Sequence, residues 1–307
     1  MKQVRLSAMS LPYIENPSLP ELKFIDVCPG IQFAVVRINS SYWPQVSFFS
    51  GDQYLLLNYC IEGRCEVELD DRTNLCLSSG DLCLCTSRHV SKPFYFPSDY
   101  YVGIELSLDR KYFEEGNVIL LGTPLDVIQS ITDKYHLQER TYAGAASAEL
   151  KSIITQIFSS ALCDDILFLK LEILRLLITL EARDQLTSSL MRTAYPKSKA
   201  KIVHEVCKII SEDLSVHIPL SDLAKQFEIS EGSLKNIFRS VCGQSYSDYV
   251  RTLRIKAAMT ELSSTDKSIA DIAVSVGYEN QSKFASAFKR INGITPLEYR
   301  HLHSRKR

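Results

Sequence analysis

The sequence predicts an α+β multidomain chain: an N-terminal β-barrel or jelly roll with helices appended, then an all-α C-terminal part holding two helix-turn-helix units. Three observations carry this. Short apolar or alternating runs punctuated by turn residues fill the first 120 residues, the hydrophobic period becomes helical after Pro124, and two stretches near the C-terminus repeat each other. The boundaries read from these changes are 1–120 for the barrel, 121–184 for a helical packing or dimerisation region, 185–199 for a linker and 200–307 for the repeat-bearing part.

The β-rich part is read from Ile31–Ile38, Tyr54–Ile61, Cys65–Leu69, Leu82–Thr86 and Tyr101–Leu106. Ser50-Gly51-Asp52, Glu62-Gly63-Arg64, Asp70-Asp71 and Ser79-Gly80-Asp81 separate them. Many short strands at this spacing suggest a barrel or a double-sheet jelly roll. Tyr54–Ile61 and Cys65–Leu69, joined across Glu62-Gly63-Arg64, read as a hairpin with glycine in the turn.

Beyond Pro124, Leu125, Ile128 and Ile131 recur at helical spacing, and Leu150, Ile153, Ile154, Ile157 and Phe158 do so again. Ile166–Ala182 follows Asp164-Asp165, which suits an N-cap, and is apolar over a broad face. Such a helix must be covered by the barrel, by a neighbouring helix or by a second subunit. The polar stretch from Gln185 to Lys199, with Pro196, reads as a linker.

The repeat aligns Leu223-Ala224 with Ile272-Ala273, Leu234 with Phe284, Phe238-Arg239 with Phe288-Lys289, Gly243 with Gly293 and Tyr249 with Tyr299. The offset is 49 residues for the first pair and 50 for the rest, so the second copy carries one extra residue in its turn. The units span about 220–239 and 269–289. In the first, Leu223, Ala224 and Phe227 point inward, Ile229 plugs the turn and Ser230 caps the next helix. Gly232, Ser233, Lys235, Asn236 and Arg239 are left outward. In the second, Ser268 caps the first helix, Gly277 ends it, and Gln281, Ser282, Lys283, Ser286 and Lys289 lie outward or near it. Basic and amide side chains of this kind read base edges or grip phosphates. Between the units, Tyr246–Leu262 reads as one helix of 17 residues, spanning roughly 25 Å. A spacer of that length can set two helices about one DNA turn, ~34 Å, apart.

Net charge is −1, but 18 Lys+Arg against 12 Asp+Glu from Pro196 onward give the last third +6 and leave −7 on the rest. That split suits a polyanion-binding part attached to something else. Apolar content of 45% is ordinary for a globular protein. No run of 18 apolar residues suggests a membrane span, and the N-terminus lacks the apolar region of a signal peptide. The expectation is a cytoplasmic protein whose nine cysteines are reduced thiols. Cys83 and Cys85 share one face of a strand, where buried inert thiols are the plainer reading than a metal or redox site. A metal barrel would need clustered histidines, yet His89 is the only one before His136, so neither a metal nor an enzyme is expected. The tail His301–Arg307 reads as solvated.

Residues 200–303 resemble the AraC/XylS transcription regulators. The resemblance is carried by Leu223-Ala224, Ser230 through Arg239, Gly243, Tyr249, Leu253-Arg254, Ala257, Ser268 through Ala273, Val276-Gly277-Tyr278, Phe284, Phe288-Lys289, Gly293, Thr295-Pro296 and Glu298-Tyr299-Arg300. It implies two units reading successive major grooves of double-stranded DNA, with base-reading positions at Gly232, Lys235, Asn236, Arg239, Gln281, Ser282, Lys283 and Ser286. Two departures are Gly232, where a large side chain can contact bases, and Glu228, where glycine is often found. The β-rich part resembles the family's cupin-like effector domain through Glu62-Gly63-Arg64 and Gly80-Asp81-Leu82, and residues 121–184 hold the place of its dimerisation region. The expectation is therefore a homodimeric, DNA-binding regulator, with RNA polymerase as a further partner. A small effector would sit in the barrel beside Trp43, Tyr54, Tyr59 or Tyr101. The alternative is an activator with no small effector, controlled by a partner protein or by its level.

Overall fold

The computed structural model describes residues 22–40, 54–68, 73–86, 94–97, 100–182, 186–188 and 194–303. Leu22–Cys28 (β1) and Ile31–Ile38 (β2) pair antiparallel. Tyr54–Glu68 (β3), Thr73–Ser78 (β4), Asp81–Thr86 (β5) and Tyr101–Asp109 (β6) complete the early strands. Arg110–Glu114 (α1), the two-residue strands Ile119–Leu120 (β7) and Thr123–Pro124 (β8), and Ile128–Lys134 (α2) lead to Tyr142–Ala146 (β9). Ala148–Leu162 (α3) and Ile166–Ala182 (α4) follow. Asp165 caps α4 by accepting the Phe168 amide at 3.2 Å, as the acidic pair before that helix suggested.

The expected barrel does not close among the described residues. One sheet runs in the order β1-β2-β6-β3-β5-β9-β10, where β10 is Leu186–Ser188. A second ladder leaves the far half of β3 through β4 to Ala194–Pro196 (β11). Strand β3 is 15 residues long and belongs to both ladders. Its pairing with β6 slips between Cys60 and Glu62, and Gly63 takes φ +83°. A Cβ at Gly63 would collide with the Tyr100 carbonyl oxygen. Glu62-Gly63-Arg64 is thus a bulge within one strand and not a hairpin turn. A positive-φ glycine suits either, and the deciding fact is that the strand continues through it, paired with β6 up to Gly63 and with β4 from Arg64 onward.

Both faces of the main sheet are covered, which is why β2, β5 and β6 read as continuous apolar runs. One face packs Val35, Leu57, Leu84 and Ile104 against α2, α3 and α4 through Ile131, Ile153, Leu169 and Leu176. The other buries Val36, Cys65, Leu75, Phe96 and Tyr101. Within that layer Tyr101 Oη donates to Asn58 Oδ1 (2.8 Å) and Asn58 Nδ2 donates to Glu105 Oε1 (3.0 Å). Cys83 and Cys85 are buried, and the hydrogen bond with Cys83, together with burial, pushes the Cys85 thiol up.

Two boundaries differ from those read in the sequence. The sheet recruits β9 and β10 from beyond residue 120, and the stretch 185–199 is not a free linker. Its β10 pairs with β9 and its β11 with β4 before Lys197–Glu212 (α5) begins. No described helix is long and apolar enough to cross a membrane.

The C-terminal part comprises α5, Leu220–Gln226 (α6), Glu231–Cys242 (α7), Tyr246–Ser264 (α8), Ile269–Ser275 (α9), Gln281–Asn292 (α10) and Pro296–His303 (α11). Its two halves are built on separate cores. That of the first unit takes in Cys76 of β4 and Tyr195 of β11 beside Val203, Leu223, Leu234 and Phe238. That of the second is drawn from α8 to α11 alone. Polar contacts reinforce the first. Glu66 accepts hydrogen bonds from Asn74 and, through Oε2, from Tyr195 Oη (2.6 Å), while His204 Nε2 of α5 lies 3.1 Å from the same oxygen. Arg64 Nη2 donates to the Ser240 carbonyl at 2.8 Å, near the end of α7.

Candidate nucleic-acid interface

Each unit places one exposed helix after a tight turn, and local chemistry fixes the geometry. In the first, Leu223 and Ala224 are buried where α6 meets α7. A small side chain at Ala224 lets the two helices approach. The Ser230 hydroxyl accepts the Ser233 amide at 3.1 Å and starts α7. Leu234, Ile237, Phe238, Val241 and Cys242 turn inward. Phe238 meets the rings of Tyr246 and Tyr249 edge-on at 5.6 and 5.3 Å. Gly243 closes the helix at φ +73°.

The second unit repeats the plan. Ser268 caps α9, Ile272 and Ala273 are buried, and Asn280 Oδ1 accepts the Lys283 amide at 2.9 Å to start α10. Phe284, Phe288 and Tyr299 form an edge-to-face series. The turns match residue for residue as far as Ile229 and Tyr278, whose amides bond to the carbonyls of Ala224 and Ala273. The inserted residue is therefore Glu279, and its carboxylate pairs with Lys283 at 2.5 Å, which holds it below the usual carboxylate range. The position before the plug takes positive φ in both copies, +55° at Glu228 and +83° at Gly277.

The linking helix α8 divides its buried face between the units. Tyr246 and Tyr249 enter the first core, and Ile255, Ala258 and Leu262 the second. Arg254 sits at the divide. Its Nη1 donates to the Gly277 carbonyl at 2.6 Å and its Nη2 to the Val216 carbonyl at 3.2 Å. Burial raises the phenols of Tyr246 and Tyr278, so both stay neutral donors at neutral pH.

The structure brings the sequence-derived residues together as two exposed polar faces. Gly232, Lys235, Asn236 and Arg239 are exposed on α7, and Ser233 is half-buried beside its cap. Gln281, Ser282, Lys283, Ser286 and Lys289 are exposed on α10. Sequence reasoning missed Arg290, exposed next to Lys289, because its counterpart in the first copy is Ser240. It also missed Arg64, which no repeat flags.

Of the four aromatic residues expected to line an effector site, the two whose side chains are described do not come together. Tyr59 lies in the core shared with α2 to α4, and Tyr101 lies in the core on the opposite face. Trp43 and the side chain of Tyr54 lie outside the described residues. Among the described residues no cluster of His, Cys, Asp and Glu could hold a metal ion.

A family model described as a helix-turn-helix domain matches residues 223–301. The chain is 35% identical over 104 residues to regulatory protein SoxS of Escherichia coli, covering 34% of this chain and 97% of that protein. It is 30% identical over 105 residues to the melibiose operon regulatory protein of the same organism, covering 34% of this chain and 35% of that protein. Among solved structures, the C-terminal domain of AraT, a response regulator from Geobacillus stearothermophilus, is 28% identical with a TM-score of 0.33, over 34% of this chain and 88% of that one.

Proposed function

This chain belongs to the AraC/XylS family of DNA-binding transcription regulators, and we propose that it reads a specific DNA site with α7 and α10 in successive major grooves, as a homodimer whose sheet-rich half responds to a small effector. The observation that carries the reading is the pair of equivalent exposed faces. Gly232, Asn236 and Arg239 on one helix stand at the positions that Ser282, Ser286 and Lys289 take on the other, and Lys235, Gln281 and Lys283 are exposed beside them. Asparagine and glutamine offer the paired donor and acceptor that adenine presents, and arginine and lysine suit guanine or phosphate. Lys289 and Arg290, at the far end of α10, are placed to grip phosphate.

Pairing of two copies is supported by α4. Leu167, Phe168, Leu171 and Ile178 are exposed on it, while Leu169, Ile173, Leu176, Leu177 and Leu180 face the sheet. Response to an effector is supported by the joint between the halves. Arg64, Glu66 and Cys76 meet α5 and α7 directly, so a change in the sheet that moves β3 or β4 moves the first unit with it. An effector acts only so far as it prefers one arrangement over the other. The alternative, control by a partner protein or by protein level, is favoured by the Tyr101–Asn58–Glu105 chain, whose buried polar groups satisfy one another. RNA polymerase is the further partner that an activator would meet.

The test is a footprint of the full chain on DNA selected from random sequence. The expected protected stretch covers two turns per subunit, and log affinity falls steeply with log salt because several phosphates are neutralised. Binding that is weak, insensitive to salt and equal on all sequences refutes the reading.

A further inference from the structure

The two helix-turn-helix units keep separate cores, and the seam between them is not filled: a cleft of about 190 Å³ opens there, with Ile210, Val216, Val250 and Tyr278 in its lining. Close-packed side chains fix position because they leave no such gaps, so at this point polar bonds must hold one unit against the other. Two backbone segments meet beside the cleft. One is the loop 213–219 that follows α5. Asp213 Oδ1 accepts the Ser215 amide and hydroxyl at 2.9 and 2.6 Å, and the Ile218 carbonyl accepts from Tyr246 Oη at 2.7 Å, so the loop is held at both ends. The other is the turn Gly277-Tyr278 that leads into α10. It approaches so closely that a Cβ on Gly277 would collide with the Leu214 carbonyl oxygen. Arg254 spans the two segments. It donates to the Gly277 carbonyl at 2.6 Å and to the Val216 carbonyl at 3.2 Å, and its guanidinium carbon lies 5.9 Å from the centre of the Tyr278 ring. On α8, Leu253 packs on the first core and Ile255 lies in the second. The residue that bonds to both units therefore stands where α8 passes from one to the other. A guanidinium suits the place, because its rigid fork holds several donors and its charge is fixed.

We propose that Arg254 is a positioning residue that locks the angle between α7 and α10, and so sets how many base pairs must separate the two groups of bases the chain reads. The proposal rests on the reading of DNA by both helices. One added base pair carries the second group ~3.4 Å along the duplex and about a tenth of a turn around it. A rigid pair of helices accepts one spacing, whereas a pair hinged on α8 accepts several.

The experiment compares the full-length parent, Arg254→Ala and Arg254→Lys. Lysine keeps the charge but offers a single nitrogen in place of the fork, so both variants should lose the clasp. Gel-shift titrations use the site selected from random DNA and copies with one base pair inserted or deleted between its two groups. The parent should bind the altered copies at least about tenfold more weakly, as when a base contact is lost. In the variants that penalty should shrink to about threefold or less. The salt slope should stay that of the parent, because Arg254 grips protein carbonyls and not phosphate. A second measurement needs no DNA. Spin labels on genetically encoded side chains replace Glu231 of α7 and Ser286 of α10, since the chain has nine cysteines. Their distance distribution should be narrow in the parent and broad in both variants. Circular dichroism checks folding, and Arg254→Lys alone suffices if Arg254→Ala does not fold. A folded variant that discriminates spacing as sharply as the parent overturns the proposal, as does a salt slope lowered by about one or a distribution already broad in the parent. A parent that reads no specific site refutes the DNA reading and the spacing built on it, while the label distances separately support or overturn the clasp.

Discussion

Glu228→Gly should stabilise the first helix-turn-helix unit. Glu228 holds φ +55° at the turn between α6 and α7, and its side chain is exposed. An L-residue in the left-handed region costs about 1–2 kcal/mol. Glycine avoids that cost, but loses about 0.5–1 kcal/mol more conformational freedom on folding. The difference leaves a net gain of roughly 0.5–1 kcal/mol. At a urea dependence of about 2 kcal/mol per molar, the unfolding midpoint of the transition that includes this unit should rise by about 0.25–0.5 M with unchanged slope. The repeat supplies the reciprocal experiment. Gly277 occupies the same turn position at φ +83°, and a Cβ there would collide with the Leu214 carbonyl and the Arg254 guanidinium. Gly277→Ala should therefore destabilise the second unit by at least about 2 kcal/mol, strain and collision together exceeding the gain from a stiffer unfolded chain. Urea titrations followed by circular dichroism measure both. A Glu228→Gly protein no more stable than the parent, beside a harmless Gly277→Ala, would show that backbone strain does not govern these turns.

Three further outcomes are expected. Asn236→Ala should cost about 1–3 kcal/mol on the selected site and relax preference at one base pair, whereas Lys289→Ala should weaken all sequences alike and lower the salt slope by about one; gel-shift titrations on selected and scrambled DNA separate the two. Leu171→Glu should yield folded monomers in sedimentation, because Leu171 is 47% exposed, while Leu177→Glu should unfold the domain, because Leu177 is 1% exposed. Burial lifts the Glu105 carboxyl to about 7 from 4.5, against the pull of the Asn58 hydrogen bond. The native state then holds a proton that the unfolded chain releases, so stability should fall by about 3 kcal/mol as pH rises from about 4.5 through 7 and stay level above. Urea midpoints at pH 5 and pH 8 should differ in that sense for the parent and much less for Glu105→Gln.

The sequence revealed most where one periodic pattern meets one environment. Helix α4 begins and ends where Asp164-Asp165 and the apolar run put it, and the tandem units are aligned by their buried positions, since Ala224 and Ala273, Phe238 and Phe288, and Tyr249 and Tyr299 recur in the two cores. The polar faces of α7 and α10 followed by subtraction. What stayed hidden depends on partners far along the chain. Tyr142–Ala146 carries small residues with no strand signature and becomes β9 because β5 offers it an edge. Gly63 looks like a turn until β6 is seen to pair up to it and β4 from the next residue on. The face of α4 that holds Leu177 could not be told from the face that holds Leu171, because both are leucine. The docking of Arg64 on α7 joins residues 176 apart in sequence and leaves no local mark.

The uneven division of the helical cores decides how these chains can be recombined. The second unit closes its core with its own helices, so a graft cut within α8 transfers a complete body. The first does not, since Cys76 and Tyr195 complete it from the sheet-rich half. A chimera that takes α5 to α7 from a relative inherits an apolar seam matched to a foreign hairpin and strand. Exchanging β3, β4 and β11 along with those helices keeps the seam whole. Operator preference at the first groove and control by the sheet-rich half are thus inherited together, while preference at the second groove is free to change alone.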